Sequence, residues 1–208
     1  MNTQLRSQVL PLLGIAATPL FLAIIGFTHP QDLTRETAVY WRTLHLILLP
    51  VFPLLGMNLW WLLADIRNPW AVLARILVFV YIPFYGALDV LAGIGTGSVF
   101  IRAQVTDQPA PTTVIFWLFD EGLELSHVGV WAFLLACALT GLLLVQRAGW
   151  IALPGAVLLI AAAISFLNSH IYYPRGVLTM FAMAFAFAWL QWVRLREPTA
   201  VVHVSDHA

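Results

Sequence analysis

The chain has 208 residues, 61% of them apolar and 10% charged, with a formal net charge of zero and a mean hydropathy of +0.88. Soluble domains carry about 25% charged residues, so this composition excludes an ordinary water-soluble domain and points to a protein embedded in lipid. No basic tract is present, which leaves nucleic-acid binding without an electrostatic footprint.

All ten basic residues are arginine, so chemistry that depends on a lysine Schiff base or a phosphate-loop lysine is ruled out. The single cysteine, Cys137, permits neither an internal disulfide nor a Cys-x-x-Cys metal knuckle and reads as a small core residue.

A bilayer span needs about 20 mostly apolar residues. Six stretches qualify: residues 9–27, 43–64, 72–101, 112–146, 150–169 and 176–193. The first is longer than the apolar core of a signal peptide and lacks a small-x-small cleavage site, so it reads as a retained span. The second opens on RTLHLILLPVFPLLGMN, where Arg42 and His45 share a face and Pro50 and Pro53 loosen the helix beyond them. Trp60, Trp61 and Trp70 mark a membrane boundary.

The third stretch contains YIPFYGALDVLAGIGTGSVF, and Asp89 shares its face with Tyr85, Gly93 and Thr96. The Gly93-x-x-x-Gly97 spacing lets two helices approach closely. The same glycines suit a local unwinding that would hand backbone carbonyls to a site. The fourth stretch carries Asp120, Glu121, Glu124 and His127 in its first half. A carboxylate at the bilayer centre costs roughly 2.5–3.5 kcal/mol on insertion scales, so these groups are expected to face protein or water. At about 100° per residue, Asp120, Glu124 and His127 fall within roughly 60° of one another, with Thr113, Trp117 and Trp131 near the same stripe. Glu124-x-x-His127 matches the ligand spacing of di-iron bundles, but in one copy where those bundles use two. The last two stretches are joined by FLNSHIYYPRG, which clusters Asn168, His170, Tyr172, Tyr173 and Arg175 at the surface.

Arg6, Arg67, Arg75, Arg147, Arg194 and Arg196 fall on one side of a six-span topology; Arg35, Arg42, Arg102 and Arg175 fall on the other. That bias puts both termini in the cytoplasm. The predicted architecture is an all-α, polytopic helical bundle with about six transmembrane helices, multi-pass in the cell membrane. Residues 1–196 form one transmembrane domain, and residues 197–208 a polar, disordered C-terminal tail. In this topology His29, His45, His127 and His170, together with Asp89, Asp120, Glu121 and Glu124, all fall in the outer half or the outer loops.

The segments FYGALDVLAGIGTG and SHIYYPRGVLTMFAMAFA resemble segments of uncharacterised six-span bacterial integral membrane proteins. That resemblance implies a membrane bundle and no particular activity. The His-x-x-x-His spacing of ceramidase-like zinc hydrolases and the paired histidines of b561-type cytochromes are both absent.

Three functions fit this inventory. The leading one is an intramembrane enzyme doing acid–base chemistry on a lipid or isoprenoid-like substrate, of cyclase or isomerase type. Glu124 or Asp120 would donate the proton, with His127 or Asp89 as the base or orienting group. Tyr85, Trp117, Glu121, Trp131, Tyr172 and Arg175 would line the pocket for a hydrophobic small molecule, and no cofactor is required. The second is a metal or haem protein using His45, His127 and His170. The third is a proton-coupled transporter, against which stands the lack of an inverted repeat.

Overall fold

The computed structural model describes residues 3–196, and the expected C-terminal tail lies outside the described residues. Those residues form an all-α bundle: α1 (Thr3–Gly26), α2 (Ala38–Leu62), α3 (Pro69–Leu88), a π-helical turn (Asp89–Gly95), α4 (Thr96–Val105), α5 (Thr112–Ala148), α6 (Leu153–Phe166) and α7 (Arg175–Arg196). Successive helices run in alternate directions, with α3, the π turn and α4 forming one continuous rod. The loops after α1, α4 and α6 gather at one end of the bundle, here called the histidine end. Trp60, Trp61, Trp70 and Trp150 mark the other end.

Five helical segments are long and apolar enough to cross a membrane. The sixth crossing, expected over 150–169, is shorter: α6 has 14 residues, about 21 Å at 1.5 Å per residue. It stops at Phe166 because the following residues fold into consecutive turns, with His170 at a φ of 44°. That left-handed conformation cannot continue a right-handed helix.

α5 departs from its expected bounds in the opposite sense. Its 37 residues extend about 55 Å, while the hydrocarbon core is about 30 Å thick. Even a tilt of about 40°, the upper end of the usual range, leaves about 12 Å outside. The far end of α5 is pinned beside Asp65, whose carboxylate accepts from Arg147 and Arg194 at 2.5 and 3.0 Å. With that end at a bilayer surface, the excess would lie at the histidine end and take in about the first ten residues of α5, Asp120 and Glu121 among them, with Glu124 at its edge.

The core is a continuous apolar cluster that includes Leu22, Leu48, Phe52, Tyr81, Phe133, Phe166, Met180 and Phe187. Glycines decide how closely its helices meet. A Cβ at Gly129 would sit 2.6 Å from the backbone nitrogen of Tyr85, and one at Gly122 would sit 3.1 Å from that of Ala92. These contacts fix the antiparallel register of α5 against α3 and the π turn. On the opposite side of the rod, a Cβ at Gly93 would overlap the ring of His45, and one at Gly97 would press on Arg42. The small-residue spacing thus brings α2 against the rod, and local unwinding occurs in the same stretch. Within it the carbonyl of Ala92 accepts from Trp41 Nε1 at 3.1 Å and from Thr96 Oγ1 at 2.5 Å.

Gly129→Ala is expected to destabilise the protein by about 1–3 kcal/mol, because backbone rather than a flexible side chain must yield. Gly14→Ala, whose Cβ would meet nothing within 4 Å, serves as the neutral or mildly stabilising control. Unfolding in detergent, followed by circular dichroism, reads both.

Candidate metal centre

Three histidines that are distant in sequence meet at the histidine end. His29 follows α1, His45 lies in the second turn of α2, and His170 sits in the loop between α6 and α7. One ring nitrogen from each lies within 4.8 Å of those of the other two. Ring centroids are 5.2 Å apart for His29 and His45, 5.5 Å for His29 and His170, and 6.3 Å for the stacked pair His45 and His170.

The outer edges of the rings are committed. His29 Nδ1 lies 2.7 Å from the carbonyl of Pro30, and His45 Nδ1 lies 2.8 Å from that of Trp41. A carbonyl only accepts, so both Nδ1 atoms carry the proton and both Nε2 atoms keep a lone pair. His170 Nδ1 pairs with the hydroxyl of Tyr85 at 2.6 Å. The Nε2 atoms of His29 and His170 are buried without a hydrogen-bond partner among the described residues. Buried nitrogens with nothing to bond are uncommon, and each calls for an explanation.

The surroundings hold this arrangement in place. Tyr172 packs edge-on to His29 with centroids 4.5 Å apart, Trp41 lies 5.0 Å from His45, and Phe52 lies 5.2 Å from His170. The loop carrying His29 is tied by Thr37 Oγ1 donating to the Asp32 carbonyl at 2.8 Å and by Gln104 Nε2 donating to the Arg35 carbonyl at 2.7 Å. Gln31 Nε2 donates to the Tyr173 carbonyl at 3.3 Å and joins the two roof loops. His170 holds positive φ, a conformation that costs a non-glycine residue energy and is found disproportionately at functional sites.

Burial sets the protonation state. It drives the pKa of His29 down to about 4, against a smaller opposing contribution from the Pro30 carbonyl. His170 is also held well below the ordinary histidine range, first by burial and then by the proximity of His29 and His45. Both imidazoles are neutral at pH 7, which is the form that binds metal. Burial likewise pushes the Tyr172 hydroxyl up to about 12, assisted by the charges of Asp32 and Asp89.

Of the residues singled out in the sequence, His45, His170, Tyr85 and Tyr172 come together here. Asp89 is fully buried one helical turn from Tyr85, with neither carboxyl oxygen hydrogen-bonded among the described residues. Asp120, Glu121, Glu124 and His127 are exposed along α5, as are Trp117 and Trp131 at 62% and 55%. They do not enter the histidine cluster. Arg175 is exposed, and its Nε donates to Ser165 Oγ at 3.3 Å. His29 joins the cluster although the sequence offered it only a position, at the outer end of the first span and level with His45 and His170. The chain matches no protein-family model, no curated protein and no solved structure, so its chemistry has to be read from the site itself.

A histidine whose folded pKa lies below its unfolded value is protonated in the unfolded chain first, so stability falls as pH drops. For His29 the loss begins near pH 6.5 and reaches about 3 kcal/mol as pH approaches 4. Metal-free protein should therefore melt at progressively lower temperature between pH 6.5 and 4, and His29→Gln should flatten that slope.

Proposed function

We propose that this integral membrane protein binds a divalent first-row transition metal through His29, His45 and His170. The observation that carries this reading is the convergence of three imidazoles, two with buried Nε2 atoms left unpartnered. Zinc is the natural test ion, since imidazole ligands suit it and it needs no redox partner. Tetrahedral zinc at about 2.1 Å from each nitrogen places the nitrogens about 3.4 Å apart. The 4.8 Å bound on the present spacing calls for a small inward rotation of the rings.

The second layer supports the same reading. Metal-bound histidines donate their other N–H to a carbonyl or oxygen that fixes tautomer and orientation. The Pro30 and Trp41 carbonyls do this for His29 and His45, and the Tyr85 oxygen can accept from His170 Nδ1. Three protein ligands leave a coordination position open, where a bound cation would polarise water or a substrate oxygen. Haem is disfavoured, because the imidazoles pack on one another at 5.2–6.3 Å and leave no slot for a macrocycle. A conducted ion is disfavoured as well. Phe52, Tyr81, Phe133 and Phe166, all fully buried, form a closed aromatic layer beneath the cluster.

Acid–base chemistry on a lipid remains as a second reading, favoured by the buried carboxyl of Asp89 next to the hydrogen-bonded pair of Tyr85 and His170. It would draw on those groups, and the α5 carboxylates would have to act on a separate, exposed face.

Elemental analysis of detergent-purified protein, reloaded with zinc and dialysed, separates the readings. Metal near one ion per chain is expected, lost in His29→Ala, His45→Ala and His170→Ala and retained in His127→Ala. Metal-free wild type after reloading, or loss on changing His127 alone, would refute the tri-histidine centre.

A further inference from the structure

Among the described residues Asp89 is the one carboxyl at 0% exposure, and neither of its oxygens has a hydrogen-bond partner. Helical spacing puts Tyr85, Asp89 and Gly93 on one face of the rod. The first of these bonds His170 and the last lies against the ring of His45. Asp89 therefore shares the face of the rod that meets His45 and, through Tyr85, His170. Its charge also reaches Tyr172, which packs on His29 and His170. Its oxygens fall outside the triangle of nitrogens that lie within 4.8 Å of one another, so in this arrangement it is not a direct ligand.

A buried carboxylate needs a compensating charge, and among the described residues no cationic group lies within hydrogen-bond reach of Asp89. The chain has no lysine. The arginines nearest in sequence to the site are committed elsewhere, Arg42 Nε to Ser98 Oγ at 2.9 Å and Arg175 Nε to Ser165 Oγ. A divalent cation on three neutral imidazoles has the reciprocal problem, since it brings two positive charges into a poorly solvated pocket with no anionic ligand. Each deficit answers the other.

We infer that Asp89 is the counter-charge of the tri-histidine centre, a positioning residue outside the ligand shell whose partner is the bound cation; this rests on the metal reading above. The π turn serves that role by holding Asp89 and Gly93 on the same side of the rod while freeing the Ala92 carbonyl to bind Trp41, whose own carbonyl orients His45. Changing an outer-shell partner of this kind costs 10–100-fold in metal affinity.

The test uses full-length wild type, Asp89→Asn and Asp89→Glu in detergent. Zinc affinity is measured by competition with a chromophoric chelator, and melting temperature with and without zinc. Asp89→Asn is expected to bind zinc about 10–100-fold more weakly. Without metal it should melt no lower than wild type, because an amide of the same shape replaces a buried carboxyl that has no hydrogen-bond partner to lose, while gaining less from added zinc. Asp89→Glu keeps the charge and should stay close to wild type in affinity. Wild-type affinity in Asp89→Asn overturns the inference and leaves the tri-histidine centre standing. So does an Asp89→Glu as weak as Asp89→Asn, or an Asp89→Asn that melts well below wild type without metal, which would mark a purely structural role. Wild type that binds no zinc overturns the centre and the inference together.

Discussion

The close approach of α2 to the glycine-rich rod is the constraint on which the rest depends. Gly93 has no side chain, so the ring of His45 occupies the space that a Cβ would fill, and four residues along Gly97 does the same for Arg42. With any larger residue at Gly93, α2 would stand off and His45 would leave the cluster. The π turn at the same level is part of this arrangement. Its altered carbonyl pattern gives Trp41 an acceptor at Ala92, so the residue whose carbonyl orients His45 is itself anchored to the rod. Gly129 and Gly122 then lock α5 to the far side of the rod, fixing the height of Tyr85 and through it His170.

Once the helices are so placed, burial sets the protonation state of the imidazoles. A solvent-exposed histidine cluster would share protons near pH 6.5 and repel cations as it charged. Here desolvation holds His29 and His170 neutral, and carbonyl acceptors place the protons of His29 and His45 on the outward nitrogens. The strain at His170 belongs to the same account. His170 holds a positive φ in the turns that follow the end of α6, where its Nδ1 meets the Tyr85 hydroxyl.

The helical bundle was legible in the sequence because apolar run length and lipid thickness share one scale. The segregation of histidines to one end was equally legible, since alternating spans map position to depth. Depth does not specify direction around a helix axis, and there the histidines part company. His45 faces the rod and His127 faces away, although both fall in the histidine-end half of the bundle. Nothing in the local sequence of either histidine distinguishes these outcomes; the glycines opposite them do, and they lie on other helices. His29 was hard to weigh for a related reason, because a loop residue has no periodic face from which to infer a partner. The α5 carboxylates show a different limit. The stretch over 112–146 is longer than a straight span needs, and its excess length allows tilt, a break or a projecting end; a 37-residue unbroken helix leaves tilt and projection. Exposure there carries little penalty, so the charges need no buried partner.

The lengths that put those carboxylates beyond the membrane place the histidine centre at its boundary. About 20 residues of α5 counted back from Ala148 end at Gly129, opposite Tyr85. A similar count along α2 from Leu62 ends close to His45. At this end burial keeps His29 and His170 neutral, while the loops that carry them also bear exposed residues such as Gln31 and Tyr173. Deeper placement would make the desolvation of an arriving cation prohibitive, and shallower placement would let the histidines protonate. Asp89 lies between the levels that these two counts reach, fully buried within the protein, where the attraction between a carboxylate and a cation is little screened. The cost of burying Asp89 and the affinity of the histidines for an ion are thus set by the same few ångströms of depth.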